Sequence, residues 1–130
     1  MSNWTHVAGI VRVDCFRLMG GIDFTEVFGR ELKFSDDREV WMDADAHPER
    51  FLPMGSEGSL KMAVWENPDP CHIDEYTVSV FGDLRDYDDP KVIVEWFKEK
   101  CLKLIVRNAC ITAENEWGGV ENWVYREEEA

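Results

Sequence analysis

Residues 5–16 form the first strongly patterned segment and predict a strand with both faces apolar in part. Val7 and Val11 fall on one side of an extended backbone, whereas the opposite side becomes polar at Arg12 and Asp14. A period of two is typical of a strand that is covered on one face. The pattern therefore predicts a long first strand with helices packed against one side.

The first helix is predicted directly after two adjacent glycines. Asp23 is a candidate N-cap and Glu26 follows three residues later, which is the spacing of a capping box. Apolar residues then recur at helical steps, at Phe24, Val27, Phe28 and Leu32. The pattern predicts a short helix that Gly29 weakens in its middle.

The central part of the chain predicts two strands followed by the clearest helix. Residues 58–66 and 76–81 alternate in the manner of neighbouring antiparallel strands. Asp89 is then a candidate N-cap, with Pro90 at the first helical position. Apolar residues at three- and four-residue steps continue the helix to residue 104, with Lys and Glu on its other face.

The C-terminal part predicts a β-hairpin. Residues 106–116 and 120–126 read as strands, and Trp117 followed by two glycines supplies the turn. Residues 127–130 are expected to be a frayed tail.

The predicted order is strand, helix, strand, strand, helix, strand, with the hairpin as an extension. It predicts one α+β domain over residues 1–130 with a ferredoxin-like (split βαβ) arrangement, an antiparallel sheet with two helices on one face. Residues 33–57 are expected to be an irregular insertion, in which residues 39–43 are a candidate for a short strand. The hydrophobic content of 45%, with six Trp and seven Phe, argues for a folded core despite the charge.

Carboxylates outnumber basic residues almost two to one. The chain has 14 Lys and Arg against 27 Asp and Glu, a formal net charge of -13. Nucleic acid and anionic membranes repel such a surface, whereas a basic protein is attracted to it. Acids are concentrated in residues 36–49, 66–89 and 114–129, while residues 91–107 are mainly basic. The distribution predicts carboxylate-rich edges that engage a basic protein, with no direct binding of nucleic acid or membrane.

The candidate partner-binding residues come from two of these acidic segments. One supplies a tryptophan beside carboxylates, and tryptophan is a frequent anchor in protein interfaces. The other is the acidic turn that precedes the second predicted helix. The residues are Trp41, Asp43, Asp45, Asp83, Asp86, Asp88 and Asp89.

Two other functions remain open from the sequence. One is a small-molecule binder whose Trp- and Arg-lined pocket at a dimer interface involves Arg12, Lys61 or Arg107. The other is a hydrolase that uses acidic residues with a divalent cation. A crowded loop with Cys71 and His72 lacks the spaced ligand pairs of a zinc site, and nucleophile and phosphate-binding motifs are missing. We therefore predict no catalytic residue, metal site or cofactor.

The location and assembly of the protein are also predicted. The N-terminus lacks a signal-peptide pattern, no apolar stretch is long enough for a membrane span, and the four cysteines are widely spaced. These features favour a reduced, cytoplasmic protein. A sheet with an apolar outer face predicts a homodimer, unless residues 120–125 cover that face or exchange with another copy.

The opening residues 3–14, Asn-Trp-Thr-His-Val-Ala-Gly-Ile-Val-Arg-Val-Asp, resemble the start of small phage or prophage proteins of unknown function. The resemblance transfers no site residue. It implies a phage-encoded accessory protein, and some of these are acidic inhibitors that occupy the nucleic-acid-binding surfaces of host proteins. Ordinary acidic bacterial proteins fit the charge equally well.

Overall fold

The computed structural model describes residues 2–16, 20–69, 73–87 and 89–127. The elements along the chain are β1 (Trp4–Phe16), α1 (Phe24–Phe28), α2 (Arg38–Ala46), a 3₁₀-helix (Pro48–Arg50), β2 (Met54–Gly55), β3 (Gly58–Ser59), β4 (Lys61–Glu66), β5 (Ile73–Arg85), α3 (Pro90–Cys101), β6 (Ile105–Asn115) and β7 (Val120–Arg126). Five strands form the main sheet in the order β4-β5-β1-β6-β7, and every neighbouring pair is antiparallel.

The predicted α+β class is confirmed, and the described residues form a mostly antiparallel sheet and three α-helices. The ferredoxin-like arrangement is not confirmed. The sheet has five strands, and both α2 and the small β2–β3 sheet add to the predicted four-strand, two-helix plan. β7 pairs along β6 as an edge strand, so the C-terminal hairpin widens the sheet and does not cover its outer face.

Alternate residues of the strands build the core against the helices. In β1, Val7 and Val11 are buried as predicted and Val13 is buried on the same side, while Ile10 on the other side is exposed. The centre of the core is Phe97 of α3, which is completely buried. Its ring lies 6.1 Å from that of Phe28, 6.3 Å from Trp96 and 6.1 Å from Trp123, measured between centroids. One face of the sheet is therefore covered by α1 and α3.

The prediction of a strand at residues 39–43 was wrong, because this segment lies in α2. The Asp37 carboxylate caps the helix by accepting a hydrogen bond from the Val40 amide. Val40, Trp41 and Ala44 then follow at helical spacing and pack on a small cluster formed with Leu32 and Phe51. In the described part of the chain, no helix is long and apolar enough to cross a membrane.

The predicted first helix is shorter than expected. α1 ends at Phe28, because Gly29 adopts a positive φ of 120° that leaves the helical region. The chain beyond Gly29 forms hydrogen bonds with the segment around Phe51. The Arg30 amide donates to the Arg50 carbonyl, and the Leu52 amide donates to the Arg30 carbonyl, at 2.9 and 3.0 Å. The segment predicted to be irregular is thus fixed to the end of α1.

Candidate functional site

The helix α2 presents an acidic surface. Glu39 and Asp45 are exposed, whereas Asp43 lies 3.6 Å from the Arg50 guanidinium. Trp41 is half-buried on the small cluster beneath the helix, so most of its role is packing. We call Glu39, Asp43 and Asp45 the α2 acidic surface.

Two exposed apolar side chains accompany the α2 acidic surface, and neither was predicted from the sequence. Phe34 in the turn before α2 is 82% exposed, and Met42 on the helix itself is 57% exposed. Predicting that these two side chains lie near the acidic residues of α2 would have required assigning α2 as a helix. Apolar side chains beside charges are typical of surfaces that bind proteins.

The three described aspartates of the predicted acidic turn each have a structural partner. Asp86 has a positive φ of 57° and accepts a hydrogen bond from the Ser56 hydroxyl at 3.0 Å. Asp89 caps α3 by accepting a hydrogen bond from the Lys91 amide. Asp83 lies on the sheet beside His6, and Asp88 is outside the described residues. The turn is thus a set of local contacts and not one array of free carboxylates.

His6 is held between two carboxylates at one end of the sheet. Its Nδ1 lies 2.7 Å from Asp83 Oδ1, and its Nε2 lies 3.4 Å from Glu116 Oε2. The hydrogen bond with Asp83 is the main cause that raises the pKa of His6 above its ordinary value. The protonated imidazole is therefore favoured in the folded state.

We expect His6 to make the folded state more stable at acidic than at alkaline pH. Because folding raises the pKa of His6, its contribution is full below the unfolded pKa of about 6.5 and is lost as the pH rises through the folded value. Both partners are well exposed, which limits the effect to about 0.5 kcal/mol. Urea unfolding of wild type and His6→Gln at pH 5 and pH 8.5 measures it. Asp83→Asn should reduce the same pH dependence, and parallel profiles for all three proteins would contradict the assignment.

A second polar cluster lies at the opposite end of the strands. Arg12 pairs with Glu75 at 3.2 Å, and Arg107 lies 3.7 Å from Asp14 and 3.5 Å from Glu75. The Asn67 amide donates to Glu75 at 2.9 Å and is the main cause that lowers the pKa of that carboxyl. Burial is the main cause that raises the pKa of Asp14. Both arginines predicted to line a ligand pocket are therefore engaged by carboxylates on the sheet.

A groove of about 420 Å³ separates α3 from the segment 48–54. Trp96, Glu99 and Lys100 of α3 line one side of it. Burial is the main cause that lowers the pKa of Lys100. The groove is apolar with charged groups at its rim, and the arginines of the pocket hypothesis lie elsewhere, on the sheet.

The outward side of the main sheet, which we call the open sheet face, consists of the side chains that point away from α1 and α3. The strand register arranges them in rows that cross all five strands. Its central row contains no charged residue and consists of Ala63, Ser79, Ile10, Cys110 and Val124. The neighbouring row contains Phe81 and Ala8, and the row on the other side contains Trp65 and Arg12. Ile10, Phe81, Trp65 and Val124 are all exposed.

Metal ligation is not supported by the described side chains. Among residues 2–16, 20–69, 73–87 and 89–127, no three His, Cys, Asp or Glu side chains converge in a group that could hold a metal ion. Cys71 and His72 lie outside these ranges. Comparison of the chain with protein-family models, curated proteins and solved structures gives no match.

Proposed function

We propose that the protein acts by binding a basic protein partner through the α2 acidic surface. The observation that carries the proposal is the charge of residues 23–57, which contain ten acidic and four basic residues around a capped, exposed helix. A basic partner is attracted to this region over several ångströms before contact, which accelerates association.

The same region offers apolar groups that a charged surface alone would lack. Binding energy in protein interfaces is concentrated in a few apolar or aromatic anchors, while peripheral charges set specificity and association rate. Phe34 in the turn before α2 and Met42 on the helix are both exposed and suit the first role. The acidic residues suit the second.

The class of partner follows from charge. Proteins that bind nucleic acids carry clusters of Lys and Arg that neutralise phosphates, so they present the kind of basic surface that this region would attract. An acidic protein that occupies such a surface competes with the nucleic acid, as the resemblance to phage proteins implies. We propose a cytoplasmic setting, which the free cysteines Cys15, Cys101 and Cys110 support.

Removing three charges from α2 is expected to weaken partner binding by about tenfold at low salt, since each partly exposed charge pair contributes about 0.5 kcal/mol. The variant is Glu39→Gln, Asp43→Asn and Asp45→Asn combined. A basic protein retained by the tagged chain from host lysate is purified, and its Kd is measured by titration calorimetry at about 50 and 500 mM salt.

The matched control removes the same charge from other elements, with Glu66→Gln, Glu121→Gln and Glu127→Gln combined. These three acids are exposed on or beside the sheet edges. A loss specific to the α2 variant supports the proposal. Equal Kd values for the two triple variants would mean that net charge alone, and not the α2 acidic surface, attracts the partner.

We also propose that β4, β5, β1 and β6, with α1 and α3, are a modified split βαβ unit. The support is the order of these four strands in the sheet, which is β4-β5-β1-β6. Numbered by their order in the chain, β1 is the first, β4 the second, β5 the third and β6 the fourth, so the sheet order is 2-3-1-4. On this interpretation α2, β2, β3 and β7 are additions. An experimental structure in which β1 did not lie between β5 and β6 would refute it.

A further inference from the structure

We propose that the open sheet face binds a second copy of the chain, forming a symmetric dimer with two sheets packed face to face. This inference goes beyond the proposed function and uses none of the residues of the α2 acidic surface. The first argument is the apolar content of the face. Large side chains at Ile10, Phe81, Trp65 and Val124 are exposed on one side of a sheet whose other side is covered. Contiguous exposed apolar surface of this kind marks an interface.

The size of the face matches what a stable dimer needs. Five strands spaced about 4.8 Å apart give a width of about 24 Å, and nine residues along a strand span about 30 Å. The face thus offers roughly 700 Å² to a partner, compared with roughly 800 Å² per partner in a standard interface.

The charge of the face favours a second copy over a basic protein or a nucleic acid. Among the described strand residues that point to this side, five are basic and four are acidic, so this face is nearly neutral and the net charge of -13 lies elsewhere. A symmetric dimer formed through the α2 acidic surface would bring like charges together, whereas two copies of the open sheet face meet with almost no net repulsion.

The rows of the face are also complementary to themselves. A two-fold axis that crosses the strands between the rows of Ala8 and Ile10 places Ile10 of one copy over Ala8 of the other, and Phe81 over Ser79. Large side chains then meet small ones. The same axis places Arg12 over His6 of the other copy, whose neighbours in that row are Asp83 and Glu114, so Arg12 comes near two carboxylates on the adjacent strands.

The arrangement predicts where one thiol lies. Cys110 is an exposed free cysteine in the central row. Its distance from the axis along the strand is half the distance between two neighbouring rows. With sheets packed about 10 Å apart, Cys110 of the two copies would be about 12 Å apart between Cα atoms. That separation is too long for a disulfide and suits a short bifunctional thiol reagent.

The test is the mass of the full chain in solution, measured by sedimentation equilibrium across micromolar concentrations. Wild type is expected to be a dimer, and Ile10→Lys is expected to raise the dimer dissociation constant about a hundredfold or more, because each interface would bury two unpaired ammonium groups. The matched control is Val92→Lys. Val92 is a β-branched residue on α3 that is 52% exposed, compared with 42% for Ile10. The control variant is expected to remain dimeric.

A second measurement keeps the proposal open to refutation if Ile10→Lys does not fold. A thiol cross-linker of about 10 Å is applied to a Cys71→Ser protein, and covalent dimers are expected at Cys110 by peptide mapping. Cys110→Ser in the same background should abolish them. A monomeric wild type at 100 µM, a dimer that Ile10→Lys leaves intact, or cross-linking that does not depend on Cys110 would each overturn the proposal.

Discussion

Replacing Gly29 by alanine is expected to lower the free energy of unfolding by more than about 3 kcal/mol, through strained backbone and steric conflict together. The φ of 120° at Gly29 is one that L side chains rarely adopt. A Cβ at this position would lie 2.5 Å from the Phe51 carbonyl carbon and 2.7 Å from the Leu52 nitrogen. Both are backbone atoms, so the conflict cannot be relieved by rotating a side chain. Urea unfolding followed by circular dichroism measures the loss.

Gly119→Ala is the matched control for this change. Gly119 lies in the turn between β6 and β7, and a Cβ there meets no atom within 4 Å. Its free energy of unfolding should change by less than about 0.5 kcal/mol. Similar losses for the two variants would show that the close approach of Gly29 to the Phe51 backbone does not determine stability.

Truncation of Phe97 to alanine is the second change with a large expected effect. The side chain is completely buried between α3 and the sheet, and its removal leaves a cavity among the rings of Phe28, Trp96 and Trp123. Losses for Phe→Ala in cores are about 3–5 kcal/mol. We expect a loss in this range, measured by the same urea unfolding.

The control for Phe97→Ala is the same substitution at a phenylalanine that is almost fully exposed. Phe34 is 82% exposed, and Phe34→Ala should change the free energy of unfolding by less than about 0.5 kcal/mol. If Phe97→Ala were as mild as Phe34→Ala, the core would have to repack around the missing ring, and Phe97 would not be its centre.

The sequence predicted best the elements whose local pattern agrees with their final environment. β1 has valines on its covered face and turns polar on the other face at Arg12 and Asp14, and α3 has an N-cap, a proline at its start and an apolar stripe. β5 extends to residues 73–85, beyond the predicted 76–81. The extra residues include Glu75 and Asp83, which point to the open sheet face, where a carboxylate does not oppose strand formation.

The helix α2 was missed for a different reason. Acids on both sides and prolines at positions 48 and 53 suggested breaks, although the N-cap signal at Asp37 was present. The stripe of this helix is short because it packs on a small cluster, not on the sheet. A pattern of two turns is too brief to distinguish a helix from a strand by periodicity.

The candidate surfaces were only partly predictable. The excess of carboxylates and their clustering are properties of composition and were visible at once. The central row of the open sheet face was not, because it joins residues as distant in sequence as Ile10, Cys110 and Val124. Only the strand register brings them together, and β1 and β6 lie too far apart in the sequence for a turn to set their register.

The buried hydrophobic residues that the structure describes form two separate clusters, and two adjacent residues belong to different ones. Phe51 belongs to the small cluster beneath α2, whereas Leu52 belongs to the core beneath the main sheet. The side chains that bury α2 are therefore largely separate from those that hold the sheet together. Substitutions on and under α2 can accumulate during evolution with little effect on the sheet. If α2 carries the proposed partner site, that site can change in sequence while the scaffold is retained.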